Sequence, residues 1–231
     1  HTARQHAEGL QSATMTSQAA LHRIRLMFGK TAVYQVATQP TRLGAAVVHQ
    51  SWNRHIVPSF VVLWTGGLDV DLAARGTLSR LPVVHELLIY GPDPHNPAHL
   101  VEMRLPDVTS TIDFDDATFN QQMLSLIHSR SVQKILICDH LQVAELAAGK
   151  FSTGNVRFEF RESPNSDDLG TTNPDDADWG ALKWAQGVVG LRQANLDIEL
   201  LIETQLTPDQ SVVAEAIPFF DSASRCYVHQ F

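Results

Sequence analysis

The sequence predicts an all-β protein, an antiparallel β-sandwich with a few short helices. Short segments in which apolar and polar residues alternate recur along residues 31–220. Clusters of Gly, Pro, Asn and Asp separate these segments and give turn signals. No glycine-rich phosphate loop follows any predicted strand, which argues against a doubly wound nucleotide-binding fold.

The composition limits the classes of function. Of the 231 residues, 44% are hydrophobic and 18% are charged, as in ordinary globular proteins. The formal net charge of −8 argues against a domain that holds nucleic acid on a strongly basic face. The chain has neither a signal-peptide pattern nor an apolar run near the ~18 residues of a membrane span, so we expect a soluble intracellular protein.

The chain divides into three predicted regions. Residues 1–30 are an N-terminal arm or a short helix; the helix would cover residues 16–28, with Leu21, Ile24 and Phe28 on one side. Residues 31–220 form a single β-domain, and residues 221–231 form a C-terminal tail.

Residues 60–92 organise the predicted sheet. After Gly66-Gly67, residues 68–74 alternate between apolar and polar or small side chains, which predicts a strand with one buried face. Residues 83–90 form a second apolar strand, which Gly91-Pro92 should end. Their short connection, residues 75–80, predicts an antiparallel pair joined by an exposed loop. We expect Trp64 to lie in the core.

The remaining elements follow from propensity and spacing. Further strands are predicted at residues 31–38, 45–49, 100–105, 110–114, 134–138 (buried), 155–162, 179–189 and 196–206. Helical character is predicted after Pro58 through residue 63 and at residues 141–148. Residues 119–129 are ambiguous, although Phe119, Met123, Leu126 and Ile127 fit helical spacing. Residues 163–178 should form an acidic surface loop, and residues 217–220 should close the body of the domain.

We predict no catalytic, cofactor-binding or metal-binding residues. The set Asp93, His95, His99 and Glu102 has spacing that a metal could use, but zinc sites need committed ligands with supporting hydrogen bonds. Incidental histidines in a solvated loop explain the set more simply. Cys138 and His140 are separated by one residue on or beside a predicted strand, and neither they nor their neighbour Asp139 follow a known nucleophile motif.

Several motifs occur in an order that resembles a known family. They are Trp52-Asn-Arg-His-Ile56, Leu63-Trp-Thr-Gly-Gly-Leu-Asp-Val70, Asn96-Pro97, Phe158-Glu-Phe-Arg-Glu-Ser-Pro164 and Ile217-Pro-Phe-Phe220. This order resembles the small coat (capsid) protein of comoviruses or a related secovirus, which are plant picorna-like viruses. The acidic segment 165–178 and residues 105–150 depart from the family's pattern.

The resemblance implies a fold and a role. The fold would be an eight-stranded jelly roll, and the chain would be a structural subunit of a non-enveloped icosahedral virion. Its expected partners are a larger coat protein, copies of itself around the fivefold axis, and genomic RNA held weakly inside the shell; no membrane is expected. Such subunits are released from a polyprotein, which would suit the start at His1, and assemble in the host cytoplasm.

Two other functions remain open from the sequence. The chain could be an intracellular α/β enzyme or ligand-binding domain that uses Gly91–His99 and Gln133–Lys150. It could also be a β-sandwich binding module of a cellular protein. Dominant helix would contradict the jelly roll, whereas purification without a large partner or RNA would favour the binding module.

Overall fold

The computed structural model describes residues 2–37, 39–52, 55–67, 76–146, 151–165, 168–169, 176–182, 188–204 and 215–229. The helices are α1 (Thr2–Gly29), α2 (Phe119–Ile127) and α3 (Asp176–Ala181), and a 3₁₀ turn covers Val84–Glu86. The strands are β1 (Val33–Tyr34), β2 (Arg42–Leu43), β3 (Ala45–Trp52), β4 (His55–Trp64), β5 (Leu87–Pro92), β6 (Leu100–Arg104), β7 (Gln133–Cys138), β8 (Val143–Leu146), β9 (Phe151–Gly154), β10 (Val156–Ser163), β11 (Leu191–Thr204) and β12 (Glu215–Val228).

The predicted all-β class is confirmed, and every pairing between these strands is antiparallel. The larger sheet has the order β3-β4-β5-β6-β7, and a second sheet has the order β10-β11-β12. Strands β1 and β2 form one small pair, and β8 and β9 form another. In each sheet of the described chain, neighbours in space are therefore neighbours in sequence, whereas a jelly roll interleaves strands by Greek-key connections.

The five-stranded sheet is covered on both faces. Along β4, Val61 and Leu63 belong to one buried cluster while Val62 and Trp64 belong to the other, as the period of two requires. The first cluster lies between this sheet, the sheet β10-β11-β12 and helix α1. The second lies between the opposite face and helix α2. Trp64 is fully buried, as predicted.

Helix α1 extends well beyond the short helix expected at residues 16–28. Its buried side chains recur every three or four residues, which gives one face for packing against β7, β11 and β12. The C-terminal half of this face carries the predicted Leu21, Ile24 and Phe28. Further towards the N-terminus, the fully buried residues among the described side chains are small, Ala13 and Ser17, and small side chains allow a helix to approach a sheet closely.

The elements around residues 58–92 differ from the prediction. Pro58 lies within β4, not at the start of a helical turn, because β4 pairs along its length with β3. The predicted strand at residues 68–74 falls outside the described residues, and the described partner of β5 is β4. Strand β5 also continues through Gly91-Pro92, which pair with Val101 and Leu100. Proline is tolerated at this position because it removes only one backbone hydrogen-bond donor, at the end of the strand.

Other predicted elements were wrong where tertiary pairing overrides local propensity. Residues 143–146 form strand β8 instead of a helix, because they pair with β9. Residues 176–181 form helix α3 where a strand was predicted to begin at residue 179. Thr111 makes only an isolated bridge to Val83, and the strand expected at residues 31–38 is limited to Val33–Tyr34.

The C-terminal residues do not form a tail. Strand β12 runs from Glu215 to Val228 and pairs with β11 over all 14 residues. Ala223 and Tyr227 point into the core, which explains why the strand does not end at Phe220. The strands predicted at residues 45–49, 100–105 and 155–162 are confirmed, and the one at residues 196–206 is confirmed as far as Thr204, since residues 205–206 lie outside the described residues. The ambiguous segment 119–129 forms helix α2, in agreement with its helical spacing.

Within the described residues, no helix is both long enough and apolar enough to cross a membrane.

Candidate interaction surface

The residues considered for a metal site do not come together. Lys134 Nζ contacts Asp93 Oδ1 at 2.6 Å and His95 Nδ1 at 3.0 Å, so a cation already occupies this loop. Glu102 lies buried on β6, and His99 contacts the side chain of Asn96. Among the residues that the structure describes, no group of three or more His, Cys, Asp or Glu side chains could hold a metal ion.

Glu102 instead joins helix α1 to the larger sheet. Its carboxylate accepts hydrogen bonds from Arg23 Nε at 2.7 Å, Arg104 Nη2 at 2.6 Å and the Tyr90 hydroxyl at 2.8 Å. Burial alone would raise the pKa of Glu102, but the hydrogen bonds from these groups outweigh it and lower that pKa. All its oxygen atoms are engaged, so this carboxylate supports the fold and is not a reactive group.

A second buried network lies at the end of the sheet β10-β11-β12. Arg192 is fully buried and donates hydrogen bonds to Pro164 O and to Glu162, which also accepts one from the Tyr227 hydroxyl at 2.6 Å. The Arg192 guanidinium lies 5.6 Å from the centre of the Tyr227 ring. Burial, and then the nearby positive charge of Arg192, lower the pKa of His229 from 6.5 to about 4. This network is also structural, since Arg192, Tyr227 and His229 are buried and the partly buried Glu162 joins two of them.

The other residues considered in the sequence contact neighbouring side chains instead of forming a site. The loop expected at residues 75–80 is described from residue 76 onward, and its Arg80 forms two hydrogen bonds of 2.7 Å with Glu86. Cys138 is buried beside Ser17, with the two side-chain heteroatoms 3.6 Å apart. His140 Nε2 lies 3.1 Å from Asp139 Oδ1, away from the buried thiol of Cys138. None of these residues forms a nucleophile–base pair.

Two large apolar side chains, Met15 on α1 and Phe220 on β12, are unusually exposed. Their exposed fractions are 63% and 68%, higher than those of the other large apolar residues that the structure describes. They flank a groove of about 550 Å³ between α1 and β12. The groove is lined by Met15, Gln18, Ala19, Leu21, His22, Arg25, Phe219, Phe220 and Asp221. At one side, Arg25 Nη1 lies 3.5 Å from Asp221 Oδ1.

A second depression of about 440 Å³ begins on the other side of Phe220. It lies on the outer face of the sheet β10-β11-β12, with four carboxylates and one guanidinium in its lining. The lining consists of Arg157, Glu159, Asp197, Ile198, Glu199, Phe220, Asp221 and Ser222. Phe220 and Asp221 are common to both depressions. We call the two depressions together the Phe220 surface.

The charges of the Phe220 surface are incompletely balanced. Arg157 Nη2 pairs with Glu159 at 3.1 Å, and Arg161 on the same strand pairs with Asp197. Glu159 lies directly opposite Asp197 in the strand register, and Arg161 bridges the two carboxylates. Glu199 lies opposite Arg157 on β10 and opposite Phe220 on β12, and its carboxylate makes no direct ion pair within the described chain. The surface therefore has excess negative charge beside an exposed aromatic ring.

This arrangement suits protein binding better than catalysis. Contiguous exposed apolar side chains with a polar border are typical of interaction sites. An aromatic anchor such as Phe220 can supply much of the binding energy, while the carboxylates favour a partner that carries Lys or Arg.

This surface was not predicted, because Phe220 was assigned to the segment that closes the body of the domain. Along β12, Phe220, Ser222, Ser224, Cys226 and Val228 face solvent, and the alternate residues face inward. This alternation is hard to detect in the sequence of β12, because two of the inward-facing positions carry charged residues. Asp221 lies beside Arg25, and Arg225 donates to the carbonyl oxygen of Gly29 at 2.7 Å.

No family model, curated protein or solved structure matches this chain.

Proposed function

We propose that the chain is a non-enzymatic structural subunit of a non-enveloped icosahedral plant virus capsid. It would pack around fivefold axes beside a larger coat protein of the same virus and would enclose genomic RNA. The chain would be part of the virion and would assemble in the host cytoplasm. The Phe220 surface would contact the larger coat protein.

The observation that carries this proposal is the exposure of Met15 and Phe220 on either side of one groove. A subunit that works alone gains nothing from two large apolar side chains in water, whereas an assembling subunit buries them. The antiparallel β-architecture and the engaged carboxylates of the two buried networks favour a structural role over catalysis. The order of the coat-protein motifs supplies the identity of the proposed assembly.

The eight-stranded jelly roll is the finer form of the same proposal. The sequential strand order of both sheets weighs against it, so the proposed role does not depend on that topology. The α/β alternative has less support, because strand β8 replaces the helix that Gln133–Lys150 would have supplied.

The second candidate is a β-sandwich binding module of a cellular protein. The sequential strand order and the Phe220 surface favour it, since both are compatible with a module that docks on one partner. The two candidates differ in what the chain assembles into.

The test is to coexpress the chain with the coding sequence immediately upstream of His1 and to examine the product by electron microscopy. The coat-protein proposal predicts closed shells that contain both chains. Phe220→Ser should prevent shell formation while leaving the fold intact, and Val228→Ser on the same strand should not. Soluble protein without shells would contradict the coat-protein proposal and favour the binding module.

A further inference from the structure

We propose that strand β7 is a self-association site, at which two copies of this chain join their five-stranded sheets edge to edge. This inference concerns a different surface from the Phe220 surface and does not depend on the capsid proposal. It follows from three properties of β7: its free edge, its exposed apolar side chains and the neutralisation of its one charge.

Strand β7 has a neighbour on one side only. In the described chain it pairs with β6 and with no other strand, so its outer edge offers main-chain donors and acceptors. Helix α1 covers the inner face at the C-terminal end, where Ser17 meets Cys138. The N-terminal end of the strand, Gln133–Leu136, is left uncovered at this edge: Gln133, Ile135 and Leu136 are exposed.

Apolar side chains are exposed on both faces of this edge. Ile135 lies opposite Glu102 and therefore faces the first core cluster, whereas Leu136 lies opposite Val101 and faces the second. Ile135 is 45% exposed and Leu136 is 51% exposed. A strand added at this edge would cover both side chains at once.

The edge lacks the charge that normally prevents such pairing. Edge strands of soluble proteins commonly carry a solvated Lys, which opposes the addition of another strand. The one charged side chain of β7, Lys134, is drawn towards the preceding loop, where Asp93 binds it at 2.6 Å. The bulge between β6 and β7 lies further along, after Leu136.

The sequence of β7 is complementary to itself in the antiparallel direction, which is why we assign a second copy as the partner. A twofold axis perpendicular to the sheet places one residue opposite its own copy, either Ile135 or Leu136. In the first register Lys134 lies opposite Leu136 of the second copy, on the same face of the sheet. In the second register Lys134 meets the segment after the bulge, where Cys138 faces the other side of the sheet. Neither register brings two lysines together, and both pair apolar side chains across the axis.

The interface would be small. Strand β7 has six residues, so the dimer should be weak, with a dissociation constant of roughly 1–100 μM. We expect reversible dimers in the isolated chain, as in other cases of strand addition at a sheet edge.

Sedimentation velocity of the isolated chain over a range of concentrations tests the proposal. We expect a species of twice the monomer mass of 25.5 kDa to grow with concentration. Leu136→Lys should weaken dimerisation at least tenfold, because it places a solvated charge opposite Lys134 in the first register and opposite its own copy in the second. Val228→Lys is the matched control, since Val228 is also 51% exposed but lies on β12, and it should dimerise like the wild type.

Three outcomes would overturn the inference. They are a wild-type chain that stays monomeric at about 100 μM, well above most of the expected range; equal dimerisation of Leu136→Lys and wild type; and equal weakening by both substitutions. Circular dichroism of each variant checks that it is folded, and Ile135→Lys provides a second variant at the same edge. Shell formation with the larger coat protein is measured separately, so the two proposals can fail independently.

Discussion

The indole Nε1 of Trp64 donates a hydrogen bond of 2.9 Å to Oε2 of Glu86, which links the end of β4 to the 3₁₀ turn before β5. Arg80 completes this cluster, because it binds Glu86 and places its guanidinium 5.1 Å from the centre of the Trp64 ring. Tyr34 meets the same indole edge-to-face at 5.5 Å. Trp64 thus combines core packing with a polar contact.

Trp64→Ala should lower the free energy of unfolding by about 3–5 kcal/mol, because it leaves a cavity in the second core cluster. Trp64→Phe should cost less, since it keeps most of the packing and loses mainly the bond to Glu86. Chemical denaturation measures both. An unchanged unfolding midpoint for Trp64→Ala would mean that the indole does not lie in the core.

Glu102→Gln should destabilise the protein by roughly 1.5–3 kcal/mol, the usual contribution of hydrogen bonds to a charged group. The larger loss of stability that follows when a fully buried ion pair is broken is not expected here, because Arg23 is 45% exposed and water can solvate it. Glu203→Gln, a change in a carboxylate without an ion pair in the described chain, is the control and should stay within about 0.5 kcal/mol of wild type.

The same carboxylate predicts a response to acid. Because the pKa of Glu102 is lower in the folded state than in the unfolded state, its contribution is complete above the unfolded pKa. That contribution is lost as the pH falls through the folded pKa. The difference in stability between wild type and Glu102→Gln should therefore narrow in acid, and a constant difference down to low pH would contradict the assignment.

His229 should make the protein less stable as the pH falls from 6.5 to about 4. In this window the unfolded state binds a proton at residue 229 and the folded state does not. The contribution of His229 to the slope of the free energy of unfolding against pH can therefore reach about 1.4 kcal/mol per pH unit. His229→Gln should remove this share, while His128→Gln, at an exposed position, is the control. Equal slopes for wild type and His229→Gln would refute the prediction.

Ser17→Leu should lower the free energy of unfolding by about 1–3 kcal/mol through overpacking. Ser17 is fully buried, and its hydroxyl lies 3.6 Å from the sulfur of Cys138, so a larger side chain would separate α1 from β7. Gln18→Leu adds an apolar residue of similar size at the next, exposed position and should change stability little. Thermal unfolding of both variants gives the comparison.

The sequence was most informative where periodicity and burial agree. Strand β11 was predicted from the alternation of Leu196, Ile198, Leu200 and Ile202, and all four are buried. Only the C-terminal half of the inward face of α1 was predicted, because Ala13 and Ser17 are too small or too polar to indicate a buried helix face. Pairing with β9, the next strand along the chain, and not the helix propensity of the segment itself, decides that residues 143–146 are extended.

The candidate surface could not be derived from the sequence, because its members come together only in the fold. Met15 and Phe220 lie on elements from opposite ends of the chain, and each reads as an ordinary apolar residue of its own segment. The exposed edge of β7 was likewise predicted as a buried strand, since an Ile-Leu-Ile run looks the same in either setting. Its position at the end of a sheet is a property of topology.

The contact between α1 and β12 can form only late in synthesis on the ribosome, because the two elements lie at opposite ends of the chain. Arg225 donates to the carbonyl oxygen of Gly29, 196 residues earlier in the chain, and β12 covers the apolar side of α1. During synthesis the apolar side of α1 stays uncovered by β12 for roughly 10–40 s, at a synthesis rate of ~5–20 residues per second. Throughout this interval the nascent chain presents the helix to chaperones and to other nascent chains, and folding can be completed only after the last strand has emerged.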